Sequence, residues 1–258
     1  MGFMKGKKAI PLMLITAILI TVGSQSIEAI QGNRFTAKEN INRTISTSQN
    51  ITKEQAKEKT IELFEKYFDE KIDTKNLFEN TKLFKVEDEC NFEGKDHWLI
   101  SWSTFDLSRL GNTEGMTDDE IKQLNEDLHN AISYDALIEE KTGEIIEIGK
   151  IDGKRDGNLT MEELKEKEIE TEDAKSIALN YIKKNKLVDN IEGLEFLGEI
   201  RIDPELCFIA YKYDKNKVIE VQVESLSRKV SGFRYADEQE TRDSIEINKN
   251  YKTDGGIG

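Results

Sequence analysis

The chain has 258 residues, with 51 acidic and 37 basic side chains and a formal net charge of −14. Proteins that bind nucleic acid present a basic surface to the phosphates, so this balance argues against a nucleic-acid partner. The length suits one large domain or two small ones, each able to bury a modest core.

The first 29 residues have the organisation of a signal peptide. Lys5, Lys7 and Lys8 precede an apolar run at residues 9–23, and small residues follow at 24–29. A retained signal anchor and a buried helix are the alternatives, although the run is shorter than the about 20 residues of a membrane span. Cleavage would remove three lysines and one glutamate and lower the net charge from −14 to −16. We expect a secreted or cell-envelope protein whose one attachment to a membrane would be an uncleaved N-terminal segment.

Residues 30–50 are polar and predict a flexible linker. Thr52 then begins a helix that extends to residue 68, and Gln55 completes a capping box three residues later. Strands are predicted at 83–88 and 98–105, with a turn at 93–95.

Trp98, Trp102 and Phe105 form the aromatic cluster that could be either core or ligand surface. Alternation places both tryptophans on one face of the strand. A helix across that face would bury them, so we expect core.

An insertion at residues 106–130 separates this strand from the next. Thr117 and Glu120 form a second capping box, and the helix behind it has a narrow apolar stripe that we expect to rest on the sheet. Strands at 134–139 and 144–148 then flank a turn at 141–143.

The connector contains a motif that resembles the calcium loop of an EF-hand. Asp152, Asp156, Asn158 and Glu163 stand where that loop has oxygen ligands. Lys154 occupies another ligand position, and the preceding segment predicts a strand where an EF-hand has a helix. The alternative interpretation is a turn followed by a helix that Thr160 and Glu163 cap. Both interpretations remain open, and the sequence predicts no other cofactor.

The second half of the chain repeats the first. A constant offset places Ala56 on Ala174 and Leu63 on Tyr181, and each pair lies on one helical stripe. Strands follow at 195–202, 207–213, 218–224 and 229–235. The predicted fold is α+β, with two repeats that are each an antiparallel sheet with a helix packed on one face.

The start Ile51-Thr52-x-Glu54-x-Ala56 and the hairpin at residues 140–144 resemble the PepSY family and related repeats of secreted Firmicute proteins. The resemblance covers residues 51–148 and 169–235. It implies protein binding or inhibition without catalysis, since such domains occur in propeptides of secreted metallopeptidases and in envelope and spore-germination proteins. The implied partner is a peptidase or an envelope protein, and structural assembly with a membrane protein is the alternative role.

The sequence predicts no catalytic residues. His97 and His129 lie near no recognisable nucleophile, and a zinc site from Cys90 and His97 would lack its remaining ligands. Cys90 and Cys207 are expected to be separate thiols, with an interdomain disulfide as the alternative. A hydrolase with an unrecognised site is the alternative function. The outer strands of either sheet offer edges that can pair with an extended peptide.

These predictions divide the chain into six segments. They are a signal peptide at 1–29, a linker at 30–50, repeat 1 at 51–150, a connector at 151–168, repeat 2 at 169–237 and a polar tail at 238–258.

Overall fold

The computed structural model describes residues 50–85, 95–111, 115–153, 159–201 and 203–253. The helices in these ranges are α1 (Lys53–Phe68), α2 (Asp118–His129), α3 (Met161–Glu166), α4 (Thr171–Asn185) and α5 (Glu238–Thr253). The strands are β1 (Phe78–Phe84), β2 (His97–Ser103), β3 (Ile132–Glu139), β4 (Ile145–Asp152), β5 (Glu195–Arg201), β6 (Leu206–Asp214), β7 (Lys217–Glu224) and β8 (Val230–Asp237). The protein is therefore α+β. The predicted linker, the predicted signal peptide and Cys90 lie outside the described residues.

All eight strands form one antiparallel sheet in the order β1-β2-β3-β4-β8-β7-β6-β5. The prediction of two separate sheets is corrected here, because β4 pairs with β8 and joins the halves. Gly149 lies opposite Gly232 at this junction. A Cβ on Gly232 would lie 3.0 Å from the Gly149 Cα, so a side chain there would push the two strands apart.

Helices α1 and α4 pack on the same face of the sheet. Their predicted stripes are buried, and the side chains at Phe64, Ala174 and Ile182 have no exposed surface. They share one core with sheet residues that include Ile100 and Trp102. The aromatic cluster of β2 is thus core, as expected: Trp102 is buried, and the half-buried Trp98 donates its indole N–H to the Ile51 carbonyl at 3.1 Å.

Aromatic side chains hold the two halves together on this face. The Tyr181 hydroxyl of α4 donates to the Tyr67 carbonyl of α1 at 3.0 Å. Phe233 of β8 lies beneath both helices, with ring centroids 5.1 Å from Tyr67, 6.5 Å from Phe68 and 6.4 Å from Tyr181. The halves therefore share one continuous core.

The insertion helix α2 begins at the predicted capping box, in which Thr117 accepts from the Glu120 N–H. Its side chains build a separate small cluster, where Leu124 packs with Phe105 and Ala131. The prediction placed its apolar stripe on the sheet; the stripe instead packs in this cluster with the residues that leave β2 and enter β3. Phe105 belongs to this cluster rather than to the main core.

The predicted polar tail contains helix α5. It packs on the opposite face of the sheet from α1 and α4, where Ile245 contacts a cluster with Ala210 and Val218. Thr241, one turn earlier, is fully buried and donates to Glu220 at 2.7 Å. Thr241 and Ile245 lie four positions apart and so face the sheet together, which anchors this helix.

Candidate functional site

The residues considered for metal or acid–base chemistry do not converge. His97 is buried in β2, while His129 ends α2 and Cys207 is buried in β6. Within the described ranges, no group of three or more His, Cys, Asp or Glu side chains is arranged to hold a metal ion. The prediction that Cys90 and Cys207 are separate thiols stays a prediction, since Cys90 lies outside those ranges.

The calcium-loop motif is only partly described. Asp152 ends β4 and Glu163 lies in the first turn of α3, whereas Asp156 and Asn158 lie outside the described residues. One carboxylate oxygen of Glu163 accepts from the N–H and the hydroxyl of Thr160 at 2.8 and 2.9 Å. These hydrogen bonds lower the pKa of Glu163. The capping role of Glu163 is confirmed, and its calcium role is a prediction that calls for a direct test.

If the loop binds calcium, millimolar calcium should raise the melting temperature, because a ligand that binds the folded state stabilises it. Asp156→Ala should abolish the rise. Glu163→Gln is the matched variant, since glutamine can still complete the capping box but cannot chelate through two oxygens. Calorimetry with and without calcium measures the melting temperature of the unmodified chain and of both variants. Identical melting curves for the unmodified chain would show that the motif is a turn followed by a capped helix.

One carboxyl group lies on the face of the sheet that α1 and α4 do not cover. Asp135 of β3 points away from α1 and α4, between Ser101 of β2 and Gly149 of β4. Burial raises its pKa to about 7, although a hydrogen bond with Ser101 acts in the opposite direction. The alternation of β3 marks Asp135 as facing away from the helices, but it does not indicate that this side chain is half-buried.

Asp135 should make stability depend on pH. Its folded pKa of about 7 exceeds that of an ordinary aspartate, so its contribution is fully present below the unfolded pKa and is lost as pH rises through 7. We expect stability to fall by roughly 1–3 kcal/mol between pH 5 and pH 8 from this group. Asp135→Asn should flatten that segment of the profile in urea titrations. A slope that persists unchanged in the variant would assign the effect to other groups.

The outer edge of β1 is open. Thr104, which follows β2, donates its N–H to the Ile132 carbonyl and so faces β3. Because hydrogen-bonding direction alternates along a strand, the N–H and C=O groups of residues 97, 99, 101 and 103 of β2 point toward β1. Their partners in β1 are the even-numbered residues. The N–H and C=O groups of Glu79, Thr81 and Leu83 consequently point outward. No backbone hydrogen bond to these three residues exists within the described part of the chain.

The side chains of β1 are also accessible. Phe78 is 52% exposed, the largest value among the large apolar side chains described. On the helix side, Lys53 and Lys57 of α1 pair with Glu79 at 3.0 and 2.5 Å. Burial opposes the charge of Glu79, but these hydrogen bonds outweigh it and lower the pKa to about 2. Glu79 is therefore ionised and neutralised at physiological pH.

The opposite edge of the sheet is covered at the end of β5. The Asn248 side chain of α5 accepts from the Arg201 N–H at 3.2 Å and donates to the Arg201 carbonyl at 2.6 Å. Asn248 thus makes on β5 the two hydrogen bonds that a neighbouring strand would make. Ile245 packs beside it on Gly198. The sequence predicted that outer strands of either sheet could pair with a peptide, and among the described residues no side chain covers the edge of β1 in this way.

A shallow groove of about 540 Å³ lies beside β6. Its walls come from α4, the segment that follows α4, and β6: Leu179, Lys183, Ile191, Glu192, Leu194 and Tyr211. The nearby Phe196 ring is 37% exposed and lies beneath the Lys175 ammonium at 4.4 Å. The groove is mainly apolar, and its ionisable side chains are Lys183, Glu192 and Tyr211.

Comparisons with known proteins add little to this geometry. No protein-family model matches the chain, and no curated protein matches it in sequence. Among solved structures, the Bacillus megaterium YpeB C-terminal domain aligns with a TM-score of 0.37 and 11% sequence identity. The alignment covers 72% of this chain and 63% of that domain, so the chain spans less than two thirds of its length. In the described residues, no helix is both long and apolar enough to cross a membrane.

Proposed function

We propose that the chain is an exported, non-catalytic protein-binding module that binds an extended segment of a secreted or envelope protein along β1. The open edge of β1 is the observation that carries this proposal. Its three outward residues present six main-chain hydrogen-bonding groups, and Phe78 beside them offers apolar surface. An added strand would satisfy these groups and cover that surface.

The module consists, in this proposal, of two PepSY-like repeats. Each half of the described chain contains a helix on the shared face, α1 or α4, and four strands that pair in sequence order, and the two halves meet at their last strands. The constant offset between the helix stripes supports the same interpretation. By the resemblance to PepSY repeats, the partner is a peptidase whose activity the module modulates or inhibits.

Export and location rest on residues 1–29. A cleaved signal peptide gives a secreted protein, whereas a retained segment gives an anchored protein that serves envelope assembly. Sequencing the mature N-terminus separates the two, because cleavage would place it near residue 27 or 30.

The test uses the exported chain as bait in culture supernatant and membrane fractions, with Thr81→Pro and Thr81→Val as a pair. Proline removes an N–H that points outward and leaves the β1–β2 ladder intact, while valine keeps the backbone donor. Retention of a specific partner by the valine variant and its loss with proline would support the proposal. Equal capture by both would refute the assignment to β1.

The same preparation should be assayed for peptidase, esterase and glycosidase turnover, and for inhibition of co-secreted peptidases. We expect no turnover and a partner affinity that falls as salt screens the acidic surface. Turnover that copurifies with the chain and responds to substitution of its Asp, Glu or His residues would refute the non-enzyme proposal. Tight binding of a small ligand would refute the protein-partner proposal.

A further inference from the structure

We infer that β1 also pairs with β1 of a second copy of this chain, antiparallel about a two-fold axis at Thr81, when no foreign segment occupies the edge. The inference rests on the proposed function, because it takes the open edge of β1 as the binding surface. It adds a second occupant of that edge and the register of its pairing.

The register follows from which groups point outward. Glu79, Thr81 and Leu83 present their N–H and C=O groups, and Thr81 is the middle residue of the seven in β1. With Thr81 opposite Thr81 of the second copy, Glu79 lies opposite Leu83. All six outward groups of each copy are then paired, which a shift in either direction does not achieve.

The side chains of β1 are self-complementary in this register. Phe78 and Phe84 are equidistant from Thr81, so Phe78 of one copy lies opposite Phe84 of the other. Asn80 of one copy lies opposite Lys82 of the other in the same way. Cross-strand aromatic pairs and amide–ammonium pairs are favourable neighbours on a sheet. The exposed Phe78 ring would be covered by Phe84 of the second copy.

The helices leave room for this pairing. Helix α1 contacts the sheet mainly at β2. In a joined sheet the two β2 strands would be three strand spacings apart, or about 14 Å, which exceeds the about 10 Å diameter of a helix. Lys53 and Lys57 remain paired with Glu79 of their own copy.

Charge gives the dimer a distinctive salt dependence. The strand itself carries one glutamate and one lysine and is neutral, whereas each whole chain carries a net charge of −14. Two such chains repel at long range, and salt screens the repulsion. Self-association should therefore strengthen as salt rises. Binding of a charge-complementary foreign partner should weaken instead.

Sedimentation velocity of the full chain over a range of concentrations tests the inference. We expect a reversible dimer that Thr81→Val preserves and Thr81→Pro weakens at least tenfold, with unchanged thermal melting as evidence that the proline variant is folded. Thr81→Lys and Thr81→Glu should each be monomeric, since like charges would meet at the axis. Their equimolar mixture should dimerise, because lysine would then face glutamate.

A monomer at roughly 0.1 mM, or a dimer that Thr81→Pro leaves intact, would overturn the inference. The proposed function fails separately. If the chain is monomeric but loses a foreign partner in Thr81→Pro, the β1 edge binds proteins and the second copy is not its partner. If the lysine and glutamate variants remain monomeric when mixed while the unmodified chain dimerises, the two-fold register at Thr81 is wrong.

Discussion

Arg234→Ala is expected to destabilise the fold by about 3–5 kcal/mol, because it leaves Glu220 as a buried carboxylate without its countercharge. The Arg234 Nε donates to Glu220 at 2.5 Å, and the Glu220 side chain is 1% exposed. Thr241 of α5 donates to the other Glu220 oxygen at 2.7 Å. The pair therefore connects β7 and β8 to the helix above them.

The pKa of Arg234 is determined by its burial and by the glutamates beside it. Burial disfavours the Arg234 charge, but Glu220 and Glu240 outweigh it and raise the pKa of Arg234 above its ordinary value. Burial raises the pKa of Glu240, although Arg234 acts in the opposite direction. Arg234 therefore stays charged at any pH at which the protein is folded, and the cost of its removal falls on Glu220.

The matched control is the double variant Glu220→Leu with Arg234→Met. Replacing a buried ion pair by apolar side chains of similar volume is often neutral or stabilising, so we expect the double variant to recover most of the loss. Guanidinium titrations of the single and double variants give the coupling energy. A loss of under about 1 kcal/mol in Arg234→Ala would show that Glu220 is solvated in solution.

The helices that begin with a capping box were the most predictable part of the fold. Thr52, Thr117 and Thr160 each begin a helix through a capping box, and all three boxes are present. A capping box is a local pattern, since donor and acceptor are three residues apart, and so the sequence alone can indicate it. The buried strands β6 and β7 were equally clear because alternation and β-branched residues agree there.

The sequence was least informative where long-range contacts decide the structure. Strand β1 begins at Phe78, whereas the predicted strand began at residue 83, because an edge strand exposed on both sides shows little apolar alternation. The β4–β8 pairing depends on the close approach of Gly149 and Gly232, which no periodicity indicates. Helix α5 was missed because few apolar residues mark its inward side, where Thr241 and Ile245 are buried.

The candidate binding edge was likewise only partly predictable from the sequence. The sequence indicated that outer strands could pair with a peptide, but it could not distinguish β1 from β5. The hydrogen bonds between Asn248 and Arg201 distinguish the two edges, and these residues are 47 positions apart in the chain. An asparagine in a polar helix carries no signal that it will occupy the edge of a distant strand.

Phe233→Ala should be the most damaging single truncation of the core that joins the two halves, with an expected cost of about 3–5 kcal/mol. Phe233 is 2% exposed, and its ring packs edge-on against Tyr67 at 5.1 Å and against Tyr235 at 5.9 Å. Truncation would leave a cavity beneath α1 and α4, at the point where β8 pairs with β4.

Phe233→Leu is the control, since it fills most of that cavity and should cost distinctly less than the alanine variant. Urea titrations followed by far-ultraviolet circular dichroism and by tryptophan fluorescence measure the two variants. Both tryptophans, Trp98 and Trp102, lie in β2, so fluorescence reports the first half while circular dichroism reports the whole chain. Because the halves share one core across Phe233, the two signals should coincide in the unmodified chain. If the two transitions separate in Phe233→Ala, the β4–β8 junction is what makes the halves unfold together. If the two transitions are already separate in the unmodified chain, the halves are independent and Phe233 does not couple them.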